Sequence, residues 1–202
     1  MTHSTILPYG TWPSTLTASQ LAKGAVRFGE PKLTGQYTYE NNTVVWPQSV
    51  PHEGGRTTLM RTANHNEAES ILPAPWDVRS KVHEYGGGAF AINDVRAFFV
   101  NAKDQHIYRF DWQHQSTPCA ITHSPHCRYA NLTLHTNGQW LLAVCEDLSQ
   151  SEASPTASIV AINTQTQEQR TLAKGADFYA GLCVAPNGLK LAYICWQHPN
   201  MP

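Results

Sequence analysis

The residues most capable of chemistry in this chain lie in three short stretches. The first is His83-Glu84-Tyr85-Gly86-Gly87-Gly88. A histidine and a carboxylate side by side at the end of an inner strand would suit binding of a substrate amine. The glycines argue for a structural role, because sheet glycines mark places where backbones approach closely. On that reading Tyr85 packs between neighbouring layers. The structural role is the favoured one, and His83, Glu84 and Tyr85 are kept as candidate substrate-binding residues. The run is no phosphate loop, since no Lys-Ser/Thr pair and no helix follow it.

The second stretch is Cys119, His123, His126 and Cys127. Four such ligands could make a tetrahedral zinc site, but C-x3-H-x2-H-C is not a usual ligand spacing, and adjacent His126 and Cys127 strain to reach one ion. No metal and no cofactor is expected. The third is Glu146-Asp147, which closes an apolar strand. Paired carboxylates there could hold a cation or an amine, and a solvated strand end is the simpler expectation. No serine has glycine two residues away on both sides, so the G-x-S-x-G elbow that exposes a nucleophilic serine is absent from these 202 residues. No catalytic residue is assigned, and no hydrolysis of peptides or esters by this chain alone is expected.

The elements that position these stretches follow from an internal repeat. Tyr129 to Gly138 lies over Tyr179 to Gly188 at an offset of 50, and Leu141 and Cys145 lie over Leu191 and Cys195. Each copy reads as strand, Asn-Gly turn, strand, the Asn-Gly pair supplying the positive φ of a tight hairpin. A weaker copy 44 residues earlier aligns Tyr85 with Tyr129 and Asn93-Asp94 with Asn137-Gly138. A period of 44 to 54 residues is that of a four-stranded propeller blade. The expectation is a soluble all-β partial β-propeller: about three four-stranded antiparallel blades and the start of a fourth, in units near 29–80, 81–125, 126–175 and 176–202. Residues 1–28 form an N-terminal segment, with a short helix expected over Thr17–Lys23.

Composition agrees. Only 14% of residues are charged, and 14 Lys plus Arg stand against 15 Asp plus Glu. That balance gives no footprint for nucleic acid or an anionic membrane. No apolar run approaches a membrane span, and no signal peptide is visible. Five cysteines lack framework spacing and suit a reducing cytoplasm. Cys145, Cys183 and Cys195 read as small buried hydrophobes in strands. Trp46, Trp76, Trp112, Trp140 and Trp196 read as blade packing at strand positions.

Several phrases are more specific: Leu7-Pro8-Tyr9-Gly10-Thr11-Trp12-Pro13-Ser14, Glu53-Gly54-Gly55-Arg56-Thr57, Leu72-Pro73-Ala74-Pro75-Trp76-Asp77-Val78-Arg79, Val82-His83-Glu84-Tyr85-Gly86-Gly87-Gly88-Ala89-Phe90 and the final Trp196-Gln197-His198-Pro199. In this order they resemble the N-terminal propeller of the prolyl oligopeptidase family of serine peptidases, in its dipeptidyl-aminopeptidase and acylaminoacyl-peptidase-like branch. The resemblance implies a propeller that covers an α/β-hydrolase domain carrying a Ser-Asp-His triad, filters peptide substrates by size and helps position them. The peptide partner would be engaged through that hydrolase domain, which these residues lack. Self-association through open blade edges is also expected. The alternatives are a stand-alone propeller-like scaffold for a protein or peptide, or an inactive remnant.

Overall fold

The computed structural model describes residues 6–11, 13–17, 20, 24–34, 43–63 and 67–200. Most of the helix expected over Thr17–Lys23 lies outside the described residues.

Alternation of apolar residues on both faces makes the strands. In Arg96–Val100, Phe98 and Phe99 point to opposite sides and both are buried, as a strand sandwiched between two layers requires. The chain forms three four-stranded antiparallel meanders and a hairpin. The first sheet holds β1 (Lys32–Thr34), β2 (Thr43–Val50), β3 (Arg56–Ala63) and β4 (Glu69–Ser70). The second holds β5 (Phe90–Ile92), β6 (Arg96–Val100), β7 (Ile107–Asp111) and β8 (Cys119–Ala120). The third holds β9 (Cys127–Leu134), β10 (Trp140–Asp147), β11 (Thr156–Asn163) and β12 (Gln169–Lys174). The hairpin is β13 (Phe178–Val184) with β14 (Leu191–Trp196). This is a partial propeller with no closed ring of sheets among the described residues.

Three apolar clusters lie between successive sheets. Val45, Leu59, Leu72, Phe99 and Trp112 fill the first gap. Phe98, Ile107, Tyr129, Leu141 and Ile162 fill the second. Ala130, Val144, Ile159 and Tyr179 fill the third. Near the axis, the Lys32 ammonium donates to the carbonyls of Phe90 (2.8 Å) and Leu132 (3.3 Å), tying the first strands of three sheets together.

The repeat has a local cause. In β9 the pairing with β10 shifts between Leu142 and Val144, and Asn131 there has φ of 52°. In β13 the pairing with β14 shifts between Ala180 and Cys183, and Gly181 there has φ of 64°. Asn131 and Gly181 are the aligned pair, each marking the same bulge in its strand, where asparagine and glycine tolerate the left-handed conformation.

Some expectations need correction. The Asn-Gly pairs do not form two-residue turns. Residues 135–139 link β9 to β10, closed by the His135 amide on the Trp140 carbonyl at 2.9 Å, and of Asn137 and Gly138 only Gly138 has positive φ. Cys145 is buried, but Cys183 and Cys195 are exposed, because among the described residues no further sheet covers the hairpin. Trp76 and Trp112 pack between sheets from loop positions, not from strands. No helix of the described residues is long and apolar enough to cross a membrane.

Candidate functional site

The segment before β5 is a tight left-handed turn. His83 and Glu84 have φ of 54° and 64°, and Gly86, Gly87 and Gly88 continue at positive φ. His83 and Glu84 therefore sit in a turn and not at a strand end. The Gly86 amide donates to the Val82 carbonyl at 2.9 Å. The glycines do serve close approach: the amides of Asn131 and Leu132 donate to the carbonyls of Gly87 (3.3 Å) and Gly88 (2.9 Å), docking the turn on β9.

The turn divides the three candidate residues. The His83 side chain is 5% exposed. Its backbone amide donates to Oε1 of Glu146 at 2.9 Å, and its Nε2 lies 3.9 Å from the same oxygen. Its ring stands edge-on to Phe178 (5.5 Å) and Trp196 (5.8 Å), and those two rings stack at 5.3 Å. Glu84 points the other way, into solvent, where it receives Nη1 of Arg128 at 2.6 Å. Tyr85 is exposed and lies beside the His83 ring at 5.6 Å, so it does not pack between blades.

Glu146 is buried and is not a solvated strand end. The next residue, Asp147, faces the opposite side of β10, and its Oδ1 accepts the Ser149 amide at 2.8 Å. The two carboxylates therefore do not act as a pair. Burial pushes the Glu146 carboxyl above the usual carboxylate range, against the His83 amide bond and Arg128, which pull it down. Burial also pushes the His83 imidazole down. Nε2 of His83, Oε2 of Glu146 and Nε1 of Trp196 are each buried without a hydrogen-bond partner. Unmade hydrogen bonds of this kind are costly, and three fall on His83 and side chains near it.

The Cys119 to Cys127 stretch does not converge. The Cys119 thiol donates to the Ala120 carbonyl, Nε2 of His123 meets Oε1 of Gln167 at 3.1 Å, and Cys127 lies in β9 opposite Asp147. Among the described residues no group of three or more His, Cys, Asp and Glu side chains is placed to hold a metal ion.

No protein-family model and no curated protein matches the chain. Among solved structures it is similar to a Mycobacterium tuberculosis puromycin-hydrolyzing peptidase, with 31% identity and a TM-score of 0.79 over 96% of this chain and 31% of that one. It is also similar to a puromycin hydrolase mutant complexed with PGG, with 25% identity, a TM-score of 0.77, and coverage of 96% and 32%. TolB from Acinetobacter baumannii, at 13% identity and a TM-score of 0.58, shares the fold. The chain spans about a third of the length of the two peptidases. Over 96% of its length the chain matches peptidases of the prolyl oligopeptidase family, and its open series of four-stranded sheets is that of their N-terminal propeller region.

Proposed function

We propose that this chain is the portion of a prolyl-oligopeptidase-type serine peptidase that gates and positions peptide substrates for an α/β-hydrolase domain. The observation that carries the reading is the set of unpartnered buried atoms on His83, Glu146 and Trp196. A buried carboxylate beside a histidine that aromatic rings wall in favours a cation, through the charge of the one and the rings around the other. The free ammonium of a peptide fits that description. His83 and Glu146 form the binding pair, Phe178 and Trp196 supply the aromatic wall, and Tyr85 stands at its exposed side. Glu84 contributes by holding Arg128. The five free cysteines support a reducing compartment such as the cytoplasm. A second reading, a stand-alone scaffold for a protein or peptide, is favoured by the exposed apolar residues of β14.

The variant Glu146→Gln tests the site. It keeps an oxygen for the His83 amide and removes the charge. Binding of a short peptide amide with a free N-terminus is expected to weaken about tenfold, the value of one charge-assisted hydrogen bond, while the N-acetylated peptide binds neither protein. Stability should move the other way. A carboxyl whose folded pKa is raised costs little at pH 4, where both states are mostly protonated. Its cost appears as pH rises above the unfolded pKa. Glu146→Gln is thus expected to raise the melting temperature at pH 7 by roughly 2–4 °C and to change it little at pH 4. Unchanged peptide affinity, or a lower melting temperature at pH 7, would remove Glu146 from the reading.

A further inference from the structure

Tyr85, which lies beside the His83 ring, also lines a groove of about 800 Å³. Arg27 and Arg79 line the same groove, and none of the described residues along it is acidic. Both arginines stand on anchored backbone. The segment 27–29 runs along β2, where the Arg27 amide donates to Oγ of Ser49 at 2.8 Å and the Ser49 amide donates to the Arg27 carbonyl at 2.9 Å. The Gly29 amide donates to the Pro47 carbonyl at 2.7 Å, and a Cβ at Gly29 would stand 2.9 Å from the Pro47 ring. Glycine therefore lets this segment lie close against the sheet. The Arg79 amide donates to the Val100 carbonyl at 3.0 Å, and its Nη2 donates to the Gly55 carbonyl at 3.0 Å. Asp77 stands 3.8 Å from that Nη2, with its other oxygen on the Thr57 amide at 2.9 Å. Among the described residues the Arg27 guanidinium has no hydrogen-bonded or ion-paired partner.

We infer that this groove is a carboxylate site that extends the site above: with the ammonium of a peptide on Glu146, a carboxylate of the same peptide is received by Arg27 and Arg79. The inference rests on the amine-binding reading of His83 and Glu146. The ligand class follows from the charges. A peptide with both ends free carries one cation and one anion. The Glu146 carboxylate matches the first, and the guanidinium pair matches the second. The planar fork of arginine takes both oxygens of a carboxylate. Arg79 turns Nη2 to Gly55 and keeps Nε and Nη1 as donors, while Arg27 keeps all of its donors. Cations on a groove wall that carries no acid also set up a potential that draws an anion in. Phe28 and Tyr85, both exposed and both on the groove, offer apolar contact to side chains between the two ends. A peptide of three to five residues extends about 10–17 Å, so length enters the selection along with charge.

The test is titration calorimetry of the 202-residue protein with three tetrapeptides that share a free N-terminus. One is an amide, one is the free acid, and one is an amide with glutamate as its last residue. The free acid or the glutamate peptide is expected to bind about tenfold tighter than the plain amide at low salt, with the gain shrinking as salt rises. Whichever of the two gains more identifies the carboxylate as the C-terminus or a side chain. Arg27→Gln and Arg79→Gln are each expected to cut that gain roughly three- to tenfold. Both should leave the plain amide unchanged, which also shows that the variants are folded. Arg79→Lys keeps the charge without the fork and is expected to keep part of the gain. Equal affinity of the unaltered protein for all three peptides, a gain that neither glutamine variant reduces, or an equal loss for acid and amide would overturn the carboxylate site alone. Failure of the plain amide to bind would overturn the amine site, and this extension with it.

Discussion

Replacing Gly88 with alanine is expected to destabilise the fold by roughly 3 kcal/mol or more. Two effects add. A Cβ at Gly88 would stand 2.7 Å from Cα and 2.9 Å from N of Asn131, both backbone atoms that cannot swing aside. Gly88 also has φ of 51°, which an L side chain adopts only at a cost. Neither neighbour can relax cheaply. The Gly88 carbonyl is bonded to the Leu132 amide at 2.9 Å, and Asn131 is already held in the left-handed bulge of β9. The damage falls between the second and third sheets, so it should loosen the core around Tyr129 and Leu132 along with the turn. Gly138→Ala supplies the comparison. Gly138 has a similar φ of 67°, but nothing lies within 4 Å of the added Cβ, so only the conformational cost of about 1 kcal/mol remains. Denaturant titration of both variants separates the two terms. Equal losses would mean that Gly88 is required for its φ alone and that the approach to Asn131 is not tight.

The second large effect is association. Among the described residues β14 pairs with β13 on one side and with nothing on the other. Ile194 is 63% exposed and Leu189 83%, with Tyr193 beside them. An unpaired edge with apolar side chains offers backbone groups and surface to another chain. The 202-residue polypeptide is expected to form dimers or larger species as its concentration rises. Leu189→Lys with Ile194→Lys should raise the concentration at which they form at least tenfold, since charge on an edge opposes pairing. Size-exclusion chromatography with light scattering measures this directly. A monomer whose mass is independent of concentration, with or without the two lysines, would show that the β14 edge is not a pairing surface.

The second and third sheets were legible in the sequence because β6 and β10 are buried on both faces. Trp140 to Cys145 and Ala97 to Val100 are continuous apolar runs, and both lie in strands of about the expected length. The 50-residue offset was legible for a deeper reason, since Asn131 and Gly181 mark the same bulge. The site was legible only in part. His83 stood out through its glycines, but the direction of each side chain in the turn depends on consecutive left-handed residues, which no periodicity reports. Glu146 looked like a solvated strand end because its burial comes from residues far away in the chain, His83 among them. The aligned cysteines Cys145 and Cys195 show the same limit. Equivalent positions of the repeat give one buried and one exposed thiol, because burial depends on whether another sheet lies alongside.

The central claim is that these residues are the propeller portion of a longer serine peptidase. Sequencing the native transcript through the codon for Pro202 tests it most directly. The account predicts an open frame that continues through further four-stranded units to a G-x-S-x-G segment and a later histidine, completing the triad. A stop codon directly after Pro202, with a native product of 22.4 kDa, would contradict it.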